Sequence, residues 1–99
     1  MSGAELMVRV TIGGRGQGVG YRAWTEREAL ARGINGWVRN RLNGDVEALF
    51  AGPRDAIEAL CAACWHGPSL AMVESVEVVE ADALEERGIG SGFRQIATI

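Results

Sequence analysis

The sequence predicts an α+β domain: one antiparallel sheet with two helices on one of its faces. Three observations predict it. Short apolar or alternating segments recur at about 6–13, 36–41, 45–51 and 72–80, and such alternation marks strands with one buried face. Two longer segments of helical character, 21–32 and Pro53 to Gly67-Pro68, lie between them. The order is therefore strand, helix, strand, strand, helix, strand, which is two β-α-β units in 99 residues.

Each element has its own justification. Leu6, Val8, Val10 and Ile12 alternate with Met7, Arg9 and Thr11, so the first strand runs from about residue 6 to 13 with one face buried. A glycine-rich loop follows, and then a helix from Tyr21 to Arg32 with Gly33 as its C′ residue. The apolar stripe of that helix is irregular: Ala23, Trp24, Leu30, Ala31 and Ile34 cluster with Arg27 among them, while Tyr21 and Ala29 fall on other faces. Gly36 to Arg41 forms a short strand, and Asn43-Gly44 is the strongest two-residue hairpin signal. The return strand, Asp45 to Ala51, puts Val46, Ala48 and Phe50 on one face and Asp45, Glu47 and Leu49 on the other. Pro53 opens the second helix, where a missing N–H does no harm, and Ile57, Leu60, Cys61 and Cys64 share one face of it. Met72 to Glu80 is a further sheet element carrying Val73, Val76, Val78 and Val79. Ala81 to Gly92 is a polar connection, its acidic run 80–86 solvated, and Phe93 to Thr98 is a last short strand at a sheet edge. This is the split βαβ, ferredoxin-like sandwich (βαββαβ).

Composition bounds the function. At 47% hydrophobic and 23% charged, the chain is expected to form a single domain over residues 1–99 around one core. A net charge of -3 argues against sequence-independent nucleic-acid binding, which needs a basic face to displace counterions. Any anion site must be local. No apolar run approaches the ~18 residues that span a membrane, and 1–6 is no signal peptide, so a cytoplasmic protein is expected. Cys61 and Cys64 lie on the apolar helix face and read as core thiols. A redox pair belongs at a helix N-terminus, and zinc would need two more ligands where His66 is the only histidine. Neither a metal nor a cofactor is expected. His66 suits a C-terminal dipole partner, and Trp24, Trp37 and Trp65 suit packing in or around the core.

The chemistry is concentrated in Gly14-Arg15-Gly16-Gln17-Gly18-Val19-Gly20-Tyr21-Arg22. Four alternating glycines between a strand and a helix leave a loop free to adopt positive φ and to aim backbone N–H groups into one concavity. The helix behind it adds unpaired amides and the positive end of its dipole, and Arg22 adds a planar, permanent charge. Such a nest suits a phosphate; the same residues also fit a flexible glycine turn. The dinucleotide pattern fails because Val19 and Tyr21 occupy the positions three after Gly16 and Gly18, and the P-loop fails because the chain contains no lysine. Asn40 ends the strand before the hairpin, between Arg39 and Arg41. It fits either a turn-forming asparagine or a neutral amide positioning a small molecule beside the nest.

The glycine segment resembles the signature loop of the acylphosphatases. Gly36-Trp37-Val38-Arg39-Asn40, followed by Gly44-Asp45-Val46-Glu47 and Gly52, is similar to their second signature, and Gly67-Pro68 with Ala71, Val73 and Val76 to the later part of the family. The resemblance implies a ferredoxin-like hydrolase that cleaves the carboxyl–phosphate bond of acyl phosphates. It implies that Arg22 grips the phosphate and Asn40 orients the attacking water. The phosphate site it implies spans Arg15, Gly16, Gln17, Gly18, Val19, Gly20, Tyr21 and Arg22, largely through backbone amides. Gly16 stands where the family usually has valine, which loosens the loop and bears on rate. Phosphoryl transfer is mostly positioning and charge stabilisation, which a nest and one arginine supply. Arg15, Arg39 and Arg41 would steer anions at most. The alternative is a non-catalytic or specialised acyl- or carbamoyl-phosphate-binding module, since the same motifs occur within larger carbamoyl-transfer proteins. A small-molecule acyl phosphate is the expected partner, with no nucleic acid or membrane, and the protein is expected to be a monomer.

Overall fold

Alternation along the first strand organises the sheet. The structure is a computed structural model and describes residues 5–15 (backbone alone at Arg15), 17–81 and 90–99. The elements are β1 (Glu5–Arg15), α1 (Tyr21–Ala31), β2 (Asn35–Asn40), β3 (Val46–Pro53), α2 (Arg54–Cys64), β4 (Met72–Glu80) and β5 (Phe93–Gln95). They form one sheet in the order β4-β1-β3-β2-β5. The pairs β1·β3, β1·β4 and β2·β3 are antiparallel, as expected for a split βαβ plan. At the outer edge, β5 departs from that plan by running parallel to β2. It is shorter than the expected 93–98, although the Ile96 amide still donates to the Val38 carbonyl at 2.9 Å. The acidic connection expected over 80–86 falls mostly outside the described residues.

Cross-strand register stacks the core in rows: Val8–Phe50–Gly36, Val10–Ala48–Val38 and Ile12–Val46–Asn40. Both helices cover this face, because their buried residues join these strands in one cluster. Asn40 thus ends an apolar row on the helix-covered side of the sheet.

The buried face of α1 differs from the expected cluster. Tyr21, Thr25 and Ala29 are buried, at i, i+4 and i+8, whereas Leu30 is 55% exposed. The stripe was obscured because its middle residue is polar; Thr25 is tolerated there because its hydroxyl donates to the Tyr21 carbonyl at 2.8 Å. The helix ends at Gly33 as expected. Its amide donates to Leu30 and that of Ile34 to Ala29, the paired bonds of a Schellman turn. In α2 the buried stripe is Ile57, Leu60 and Cys64, with Cys61 packed partly buried beside it. Pro53 sits one residue ahead of the helix as an extended N-cap. Trp65, expected near the core, is 50% exposed, since it caps α2 beyond that stripe.

Among the described residues no helix covers the opposite sheet face, yet Glu47 and Leu49 are buried there. In register, Leu49 lies between Arg9 and Trp37, and Glu47 between Thr11 and Arg39. Long amphipathic side chains cover apolar surface while keeping their charged heads accessible. No helix among the described residues is long and apolar enough to cross a membrane.

Candidate active site

The site forms where three element ends meet. The pairing of β1 with β4 continues past a bulge at Gly13/Gly14, matching Gly14 with Val73 and Arg15 with Met72, and so carries β1 two residues beyond its expected end. The chain then turns through Gly18 and Gly20, whose φ values of 81° and 83° are disfavoured for residues with a side chain. Gly20 is the N-cap of α1 and offers no side-chain cap. The first intrahelical bond is Trp24 N–H to the Gly20 carbonyl at 2.9 Å. The amides of Tyr21, Arg22 and Ala23 therefore stand at the positive end of the helix without intrahelical partners.

These amides border a cleft of about 180 Å³. Gln17, Gly18 and Gly20 of the loop line it, together with Tyr21, Arg22 and Ala23 of α1, Asn40 of β2 and Gln95 of β5. The structure thus brings the loop, Arg22 and Asn40 together. Val19 belongs to the same turn without lining the cleft, and Gly16 and the Arg15 side chain lie outside the described residues. Among the described residues Arg22 has no hydrogen-bond or ion-pair partner. Among the described residues the Oδ1 of Asn40 is buried without a hydrogen-bond partner. Such an orphan acceptor costs about 1–3 kcal/mol, and in native proteins it calls for a specific reason.

The side chains around the cleft divide into those that face it and those that brace it. Tyr21 contributes its backbone only, because its hydroxyl donates to the Cys64 carbonyl at 2.6 Å in the core and burial pushes its phenol well above the usual range. Gly67 packs against that ring; a Cβ there would lie 2.5 Å from Cε2. The start of α1 is thereby fixed to the end of α2. Gln17 donates through Nε2 to the carbonyls of Arg41 and Asp45, both at 2.8 Å.

Arg39 and Arg41, expected to steer anions, instead point away. Alternation sends them to the other sheet face, where Arg39 Nη2 and Arg41 Nη1 meet Glu47 Oε1 at 2.8 and 3.2 Å, and Arg39 also covers the Trp37 ring at 4.7 Å. One carboxylate offsets only part of their charge, but it holds both guanidiniums away from the cleft. Sequence reasoning missed Gln95 and Ala23. Ala23 follows from counting the first helical turn, whereas nothing in the sequence places Gln95 beside Asn40; the parallel pairing of β5 with β2 does so. Among the described residues no three His, Cys, Asp or Glu side chains are grouped to hold a metal ion.

With this geometry in hand, comparison with known proteins is direct. The family model described as Acylphosphatase matches residues 8–95. An acylphosphatase of Nitrobacter hamburgensis is 47% identical over 97 residues, spanning 96% of this chain and 98% of that protein. The crystal structure of acylphosphatase from Bacillus subtilis has a TM-score of 0.84 at 36% identity, covering 92% of this chain and 98% of that one. Full-length HypF in a phosphate- and nucleotide-bound form gives a TM-score of 0.83 at 23% identity, over 96% of this chain but 12% of that one. That likeness shows the fold alone.

Proposed function

The chain belongs to the acylphosphatase family, and we propose that it hydrolyses the carboxyl–phosphate bond of acyl phosphates in the cleft between α1 and β2. As an acylphosphatase it is a hydrolase; what is proposed is the assignment of its residues. The observation that carries it is the buried, unpartnered Oδ1 of Asn40 in the same cleft as Arg22 and the uncapped start of α1.

In this reading the amides of the loop and first turn surround the phosphoryl oxygens, and Arg22 places its guanidinium against them. Asn40 Oδ1 accepts a hydrogen bond from one O–H of a water, which keeps that proton, and turns the water's lone pair toward phosphorus. The water attacks in line, the phosphorus–oxygen bond to the acyl group breaks, and the electron pair leaves on the carboxylate. The water's second proton passes to a phosphoryl oxygen, so the products are a carboxylate and dihydrogen phosphate. The carboxylate is a good leaving group, which removes the need for a general acid. Charge developing on the equatorial oxygens is met by fixed dipoles and one cation, the usual route in phosphoryl transfer.

The test is hydrolysis of benzoyl phosphate without added metal, followed by ultraviolet absorbance. Arg22→Ala should lose about 2–4 kcal/mol of transition-state stabilisation, roughly 30- to 1,000-fold in kcat/KM. Asn40→Ala should lower kcat by about a hundredfold while leaving phosphate inhibition in place. Full activity in either variant would overturn the assignment. Absence of turnover in the unaltered protein, with phosphate still raising its Tm, would favour the binding-module alternative. The protein is proposed to act as a monomer, to be checked by its elution volume.

A further inference from the structure

We propose that Gln17 is a positioning residue that locks the phosphate loop to the strand end carrying Asn40, so that one side chain sets the distance between the anion nest and the water-orienting amide. The inference rests on the functional reading above, because it concerns the alignment of that site.

The geometry is unusually complete for one side chain. Nε2 of Gln17 carries two protons, and both are committed: one to the Arg41 carbonyl and one to the Asp45 carbonyl, each at 2.8 Å, across 24 and 28 residues of sequence. With both donors used, the carboxamide has none left for a phosphate, and its oxygen would repel one. Its side chain is therefore no phosphate ligand, although its backbone lies in the loop.

The two carbonyls it reaches are already the closing groups of the β2–β3 hairpin. Arg41 N–H donates to Asp45 C=O at 2.8 Å and Gly44 N–H to Arg41 C=O at 3.1 Å. Each carbonyl has a second lone pair, and Gln17 occupies it. The hairpin is thus complete without Gln17, and the glutamine is added across from the loop. Arg41 directly follows Asn40, so its peptide fixes where the Asn40 side chain departs from β2. From the other side of the sheet Glu47 holds the Arg41 guanidinium, which leaves that peptide little freedom.

The loop needs such a tie. Among its described residues Gly18 and Gly20 carry no side chains with which to fix it, and Val19 does not line the cleft. In-line attack is unforgiving, since a misplacement of about 1 Å can cost on the order of a hundredfold. Cutting the tie should therefore impair turnover more than phosphate binding, which depends on the loop and α1 alone.

The experiment compares Gln17→Leu, Gln17→Asn and Gln17→Glu with the unaltered protein, measuring kcat for benzoyl phosphate and the inhibition constant of inorganic phosphate. Leucine removes the donors at similar size, asparagine falls one methylene short, and glutamate opposes a carboxylate to two carbonyls. All three should lower kcat by about 10- to 100-fold, the worth of two modest hydrogen bonds, with the phosphate constant within about threefold. In an Asn40→Ala background, assayed at raised enzyme concentration, Gln17→Leu should cost less than about threefold more, because its effect runs through Asn40. Parallel losses in kcat and phosphate affinity would overturn the proposal, as would an equal penalty in both backgrounds. Full activity in Gln17→Glu would also overturn it, by showing that the side chain merely fills space. Where Arg22→Ala and Asn40→Ala disable the enzyme but Gln17→Leu does not, the lock alone fails. Where those two variants retain activity, the functional reading fails first.

Discussion

A methyl group placed far from the substrate should disable the site. Gly67 follows α2 with φ at 62°, and a Cβ built on it would lie 2.5 Å from Cε2 and 3.0 Å from Cδ2 of Tyr21. Ordinary contact begins near 3.4 Å, so Gly67→Ala demands a relative shift of about 0.9 Å. The ring cannot yield outward, since Tyr21 is 1% exposed and its hydroxyl is bonded to the Cys64 carbonyl. Two costs add: about 1–2 kcal/mol for a left-handed alanine and about 1–3 kcal/mol for overpacking. The sum, about 2–5 kcal/mol, lowers Tm by at least about 8 °C for a domain of this size. Because Tyr21 is the first residue of α1, the shift passes to the amides lining the cleft. An error approaching 1 Å there should lower kcat by one to two orders of magnitude at temperatures where the variant is still folded. Thermal unfolding and benzoyl phosphate turnover at about 15 °C measure both, with roughly maximal stability at that temperature. A Tm within about 4 °C of the unaltered protein, corresponding to under 1 kcal/mol, would refute the packing argument. A large Tm loss with kcat unchanged would refute the transmission from Gly67 to the nest.

Two further expectations concern groups outside the cleft. Glu47→Gln leaves Arg9, Arg39 and Arg41 gathered around an uncharged group, where Glu47, with a side chain 11% exposed, now pairs with all three. Because the arginines are partly solvated, the loss should be about 2 kcal/mol, read as a lower urea midpoint. An unchanged midpoint would mean the cluster contributes nothing. Alkaline stability should be governed by three groups, because the chain has no lysine and one tyrosine. Burial pushes the Cys64 thiol from 9.0 up to about 12 and, with Glu58 adding to it, the Cys61 thiol up to about 11; the Tyr21 phenol is also raised by burial. Folded values above unfolded ones mean that the native state holds more protons, so stability is complete below about pH 9 and falls between pH 9 and 12. A urea midpoint that is flat from pH 7 to 9 and declines toward pH 11 is expected; a rise above pH 9 would contradict it.

Much of this was legible because several local rules agreed. The alternation of β1, the apolar stripe of α2 and the Gly33 stop each point to one element, and each lies where expected. The hairpin also forms at Asn43-Gly44, but its loop holds three residues, Leu42 to Gly44, rather than two, because Asn40 pairs with Val46 and only Gly44 among them takes a positive φ. What escaped were features decided by non-local partners. Thr25 lies outside the expected face of α1, because only the folded helix supplies the Tyr21 carbonyl that satisfies its hydroxyl. Alternation places Glu47 and Leu49 only on the second face of β3, since no pattern announces that Arg9, Trp37 and Arg39 lie across from them there. The charges of Arg39 and Arg41 looked available near Asn40, but strand alternation sends them through to the other side. Within the cleft, Arg22 and Asn40 were legible from motif resemblance, whereas Gln95 depends on a parallel edge pairing that three residues cannot signal.

The charge inventory of the cleft also says how its two named side chains must differ. With Arg39 and Arg41 held on the opposite sheet face by Glu47, Arg22 is the cation lining the cleft among the described residues, and the start of α1 adds about half an elementary charge. In the proposed mechanism all of this charge addresses phosphoryl oxygens, which substrate and product phosphate share. Such contacts hold both, and they accelerate the reaction only so far as they strengthen when charge develops on those oxygens. On the same proposal, the group that responds to something the product lacks is the neutral Asn40, whose buried Oδ1 would take the attacking water. Arg22 should therefore govern phosphate affinity and turnover together, while Asn40 governs turnover nearly alone. So assigned, the site lets a protein of net charge -3 run this chemistry with a positive potential built from a helix end and a single guanidinium, without a basic surface.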